Sequence, residues 1–137
     1  MKKIDVGLYH CEVLTFTSYD DLRRYCKKHN ANIPESDYSY VDVNNLQNTS
    51  GGVAGVMVYP EKEPDLFLAV DFNQYQTDGV YNYPDLMDAI SHECLHMTWF
   101  ILDNVGVEVD AENHEMMTYA LGYLVRKYLE IHKVFDK

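Results

Sequence analysis

Cysteine, basic residues and long apolar runs are all scarce in this chain, and each scarcity closes off a class of protein. The three cysteines, Cys11, Cys26 and Cys94, are odd in number and show no Cys-x-x-Cys spacing, which argues against both a disulfide framework and a cysteine-ligated zinc site. A reducing cytoplasm is the compartment that fits. No uncharged apolar window is long enough to cross a bilayer. Met1-Lys2-Lys3 opens the chain as a signal peptide would, but Asp5, His10 and Glu12 interrupt the apolar stretch that a signal needs. The tripeptide Asn48-Thr49-Ser50 has the glycosylation pattern, which matters only in a secreted protein, and reads here as a turn.

Eleven Lys and Arg stand against twenty-two Asp and Glu, a net charge of −11. Such a surface repels phosphate backbones and anionic lipids, so neither direct nucleic-acid binding nor a membrane partner is expected. An acidic protein can instead imitate DNA and occupy a DNA-binding protein, although excess acid commonly serves solubility alone.

At 137 residues the chain has the size of one domain, and no repeat, linker or composition shift divides it. Residues 4–16 are rich in Val, Leu and Phe and read as one strand with a bulge near His10. Ser18-Tyr19-Asp20-Asp21 has the pattern of a capped helix start, and Leu22, Tyr25 and Cys26 continue it towards Asn30. Residues 32–52 are polar and read as a long loop, with a short strand at residues 40–43. Residues 55–59 and 66–72 are apolar and are joined by Pro60-Glu61-Lys62-Glu63-Pro64, which predicts an antiparallel hairpin.

After a second polar loop over residues 73–83, Pro84 stands where a first helical residue belongs, with Asp85 and Asp88 in the favourable first turn. That helix is expected to run to about Leu102. A last helix from about Asp110 carries Met117, Leu121, Leu124, Tyr128 and Ile131 at helical spacing, and Gly122 within it reads as a point of close helix crossing. The order of elements predicts an α+β domain over residues 1–137, with a small, mostly antiparallel sheet and three main helices.

The chemistry gathers at His92-Glu93-Cys94-Leu95-His96. Residues four apart on a helix share a face, so the two imidazoles converge and can hold one zinc ion, while Glu93 reaches the open coordination position where water binds. Zinc acidifies that water and the carboxylate accepts its proton as it attacks a carbonyl, which is the chemistry of a hydrolase. Two histidines alone would fit a structural site; the adjacent glutamate supplies the base. Cys94 points to the opposite side and reads as core, and Trp99 and Phe100 are expected to pack behind the metal. His10, His29 and His132 have no partner at ligand spacing.

A catalytic zinc site needs a third protein ligand. The run Asp110-Ala111-Glu112-Asn113-His114-Glu115 offers Glu115, nineteen residues after His96, with Glu112 and His114 as competitors. Tyr119, one turn beyond Glu115, faces the same side and could donate to an oxyanion or orient a ligand.

With these residues in place, residues 50–125 resemble the gluzincins, zinc peptidases in which HExxH is followed about twenty residues later by a helical glutamate. They are also similar to short HExxH proteins of phage and bacterial genomes. The resemblance implies a zincin-like fold with HExxH on the central helix, His92, His96 and Glu115 as zinc ligands, Glu93 as base, and a peptide or protein substrate. Larger gluzincins carry an Asp one turn after the third ligand, where this chain has Tyr119, and the metzincin pattern is broken by Trp99 and Leu102. The competing expectations are hydrolysis of another amide or ester, and a metal-containing binding protein or acidic DNA mimic without turnover.

Overall fold

The computed structural model describes residues 1–34 and 51–136. Among them, the β-prone N-terminal run is two strands rather than one. β1 (Lys2–Val6) leads into a 3-10 turn over Gly7–Tyr9, His10 takes a left-handed conformation at φ 55°, and β2 (Cys11–Phe16) returns antiparallel with Val6 opposite Cys11. The reversal was hidden because a histidine, not a glycine or asparagine, fills the left-handed position at the turn.

α1 (Tyr19–His29) begins as its sequence dictates. The Ser18 hydroxyl accepts a hydrogen bond from the Asp21 backbone N–H at 3.1 Å, and Asn30 closes the helix in a left-handed conformation. The expected hairpin is β3 (Gly52–Met57) and β4 (Asp65–Val70), paired antiparallel from Gly52 opposite Val70 to Met57 opposite Asp65. The strand expected at residues 40–43 and the turn at 48–50 lie outside the described residues.

β4 also pairs with β2, in parallel, so the four-stranded sheet runs β1-β2-β4-β3 and is mixed, with two of its three pairings antiparallel. A parallel pair needs a long crossover, and α1 lies within it. β4 is apolar on both faces because helices cover both: Leu66, Leu68 and Val70 join one core, and Phe67 and Ala69 join the other beside α1.

The second polar loop holds a 3-10 turn over Phe72–Tyr75 and a two-stranded ribbon, β5 (Gln76–Thr77) and β6 (Val80–Tyr81). Asp78 and Gly79 both have positive φ between these strands, as a tight hairpin turn demands. α2 (Tyr83–Asn104) follows, with Asn82 accepting from the Asp85 backbone N–H and Pro84 inside the first turn. Its sheet-facing stripe, Leu86, Ile90, Cys94, Met97 and Ile101, packs onto β3 and β4.

α3 (His114–Ile131) starts four residues later than the expected Asp110. Asp110 instead folds a turn in which its carboxylate accepts from the backbone N–H groups of Glu112 and Asn113. Leu124 and Tyr128 of α3 are fully buried, and the Tyr128 hydroxyl donates to the Phe16 carbonyl at 2.8 Å. Gly122 is no crossing point: a side chain there would meet nothing within 4 Å. The described residues therefore form an α+β fold of three helices and a small mixed sheet, and no described helix is long and apolar enough to cross a membrane.

Candidate metal centre

α2 presents two adjacent faces to different surroundings. Glu93 lies among the sheet-facing positions and is only 5 % exposed, whereas His92, turned away from the sheet, is exposed and His96 is half-buried. At 100° per residue His92 and His96 stand to the same side of Glu93, so both rings open towards one edge of its carboxyl group. Their Nε2 atoms are 3.1 Å apart, and one ligand atom from each of His92, Glu93 and His96 falls within 4.8 Å of the others.

This geometry fits a divalent metal. Two imidazole nitrogens bound tetrahedrally to zinc at about 2.0 to 2.1 Å would stand about 3.3 Å apart, close to the separation the helix already imposes. Neutral imidazoles are needed for ligation, and His96 is shifted in that direction: burial, then the neighbouring His92, lowers its pKa. Among the described residues no other His, Cys, Asp or Glu joins this group.

Glu93 is the one carboxylate among the buried polar side chains of the described residues; the other two, Thr15 and Thr98, donate to backbone carbonyls. Burial pushes the Glu93 carboxyl up to about 7. A carboxyl poised there exchanges protons near neutrality, as a general base and acid must.

The residues around Glu93 come from β3, α1 and the 3-10 turn after β4. A Cβ built on Gly52 would lie 2.6 Å from Glu93 Cγ, and one built on the preceding Gly51 would fall 1.5 Å from the Tyr75 hydroxyl. Tyr19, 2 % exposed, has a buried hydroxyl with no hydrogen-bond partner among the described residues. Burial, and after it the charge of Glu93, raises the pKa of both Tyr19 and Tyr75. Tyr19 and Tyr75 do not stand out in the sequence, whereas the Gly51-Gly52 pair at the head of an apolar strand is a signal of close approach.

The residues expected from α3 are placed elsewhere. Glu115 is in the first turn of that helix with its side chain 68 % exposed and 4.0 Å from His114. His114 Nδ1 is 3.0 Å from the Ala111 carbonyl oxygen, and Glu112 precedes the helix. Tyr119 is 74 % exposed and lines an apolar groove of about 550 Å³ with Val6, Leu8, Tyr9 and Tyr123. The delayed start of α3 puts Glu115 at the helix end instead of in its body, outside the group formed by His92, Glu93 and His96.

Cys94 is fully buried on the opposite side of α2, as expected, and burial pushes its thiol up to about 12. Phe100 is buried, but Trp99 is 38 % exposed and does not form a closed backing to the site. His132 is engaged with Thr15 Oγ1 at 2.7 Å and His29 stacks on Tyr25, so both have local roles. No protein-family model, curated protein or solved structure matches this chain.

Proposed function

We propose that this chain is a zinc-dependent peptidase with a zincin-like arrangement, in which His92 and His96 hold the metal and Glu93 is the general base. The observation that supports this most is the convergence of the two Nε2 atoms, 3.1 Å apart, beside a buried carboxylate. Zinc held there would supply Lewis-acid polarisation of a carbonyl and an acidified water. Glu93 takes the proton of the attacking water on a carboxylate oxygen, and the resulting carboxylic acid returns it to the leaving amine nitrogen. In the metal-free chain burial raises that carboxyl to about 7, and a bound zinc ion would favour the carboxylate form that accepts the proton.

Among the described residues β4 is flanked by β2 and β3, so β3 is the outer member of the hairpin, with Asn32 bridged to Val58 just past its end. A peptide added as a further strand along β3 would pass over Gly52 and bring a carbonyl to the edge of the helix carrying His92 and His96. The resemblance to gluzincins implies Glu115 as third protein ligand, and to serve as one its exposed carboxylate would have to move towards His92 and His96 from its place in the first turn of α3. The three free cysteines support a reducing compartment such as the cytoplasm.

The net charge of −11 supports one competing reading, a metal-containing binding protein or acidic decoy without turnover. One experiment separates the two. Purified protein is expected to contain about one zinc per chain and to cleave fluorophore-labelled casein, and Glu93→Gln to keep the metal and lose turnover by at least about a hundredfold, the low end of what general acid–base catalysis supplies. Equal, measurable rates in wild type and Glu93→Gln would remove Glu93 from catalysis, and no cleavage by zinc-loaded wild type would leave the binding reading in place.

A further inference from the structure

Gly51 and Gly52 head β3 together, but they are glycines for different reasons. Gly51 has φ +49°, a conformation that side chains disfavour, whereas Gly52 is ordinary extended strand opposite Val70. Nothing in the Gly52 backbone asks for glycine, and glycine weakens a strand interior. What the position lacks is space. Gly52 shares the α2-facing side of β3 with Ala54, and a Cβ there would lie 2.6 Å from Glu93 Cγ, 3.1 Å from Glu93 Cδ and 3.1 Å from the Ala69 carbonyl oxygen.

The Cγ contact is decisive because Cγ is not the free end of the side chain. A methyl group at position 52 could be accommodated only by rotating Glu93 about its first torsion, which swings the carboxylate away from His92 and His96, or by lifting β3 off α2. We infer that Gly52 is a positioning residue: by presenting bare backbone to α2, it lets Glu93 lie flat beneath β3 and holds the carboxylate within reach of the two histidine nitrogens. The inference rests on the peptidase reading for its catalytic meaning, but the contact itself is testable without it.

The test is a double-variant cycle on the full chain, read by urea unfolding in the presence of a chelator. Gly52→Ala is expected to lower the folding equilibrium constant by about tenfold or more in the wild-type background. In the Glu93→Ala background, where Cγ is gone and only the Ala69 oxygen remains close, the same change is expected to cost at least about fivefold less. A saving smaller than that overturns the inference and leaves the Ala69 contact as the reason for glycine. Should Gly52→Ala fail to fold, recovery of folding in the double variant supports the inference and continued failure overturns it.

The kinetic readout uses labelled casein and zinc-loaded protein. Gly52→Ala is expected to keep about one zinc per chain and a KM within about twofold of wild type while kcat falls about tenfold or more, since a displaced base affects the chemical step alone. A kcat within twofold of wild type, or loss of the metal, would overturn a positioning role. If wild type neither binds zinc nor cleaves casein, the peptidase reading fails, and the unfolding cycle still decides the Gly52–Glu93 contact.

Discussion

Replacing Glu93 by glutamine should stabilise the metal-free protein, increasingly as pH rises from about 4.5 to about 7 and fully above that. Burial raises the Glu93 carboxyl from 4.5 to about 7 in the folded chain. In the unfolded chain the group returns to its ordinary value, so between these two limits the folded state binds more protons. Stability associated with Glu93 is therefore fully present below about pH 4.5 and is lost as pH rises through 7. The loss, at 1.36 kcal/mol per pKa unit, is about 3 kcal/mol at pH 8. Glutamine has the shape of the protonated acid and never ionises, so Glu93→Gln avoids that loss. Urea unfolding in a chelator should show the variant more stable than wild type by about 3 kcal/mol at pH 8, with the difference vanishing near pH 4. Equal stabilities at pH 8, or an advantage for glutamine that is the same at both pH values, would refute the claim that Glu93 is buried as a costly charge.

The remaining expectations concern the metal and the helix that carries it. His92→Ala and His96→Ala should each reduce zinc well below one per chain, because too few ligands remain; elemental analysis showing stoichiometric zinc in the double variant would sink the assignment. Glu115→Ala should weaken zinc binding about tenfold or more while Glu112→Ala leaves it unchanged, measured by competition with a chromophoric chelator; equal affinities in both would end the assignment of Glu115 as a ligand. Asn82→Ala should cost about 1 kcal/mol in unfolding, since Asn82 caps α2 through the Asp85 N–H, and no loss would show that Pro84 alone suffices to start the helix.

What could be read from the sequence was whatever depends on local spacing. Ser18 and Pro84 announce helix starts because such signals are decided within one turn, and the Pro60–Pro64 connector announces the β3–β4 hairpin for the same reason. His92 and His96 converge because four residues make one helical turn. Pairings between distant segments were not legible: the parallel union of β2 with β4 joins residues 13–16 to 66–69 and leaves no mark in either strand beyond apolarity. Nor was the turn at His10, or the short ribbon at Asp78-Gly79, whose Asp-Gly signal is strong but whose strands are only two residues long. The expected reach of Glu115 depended on a helix beginning at Asp110, and the side chain of Asp110 competes for the very backbone N–H groups that such a helix would use. Tyr19 and Tyr75 were invisible, and Gly52 was marked only as half of a Gly-Gly pair, because their closeness to Glu93 arises from the fold.

The burial of Glu93 is what favours the proposed site over a coincidence of letters. A His-Glu-x-x-His run on an unpartnered helix face would leave all three polar side chains in water, where each costs nothing and means nothing. Here the helix stripe Leu86, Ile90, Cys94, Met97 and Ile101 faces the sheet, and Glu93 lies at about 20° from its Leu86 edge, between that stripe and the buried Phe100. A leucine or methionine at this position would bury apolar area with no ionisation penalty, stabilising the fold at neutral pH where glutamate weakens it. The same helix leaves His92 and His96 at the border of that stripe, open enough to take a ligand and close enough to share it with the buried carboxylate. Fold stability accounts for none of these choices separately, and the strand opposite has surrendered a side chain at Gly52 to accommodate them. An arrangement that weakens strand and core at a single point, and brings two imidazoles and a near-neutral carboxyl together, is what the proposed metal site would require.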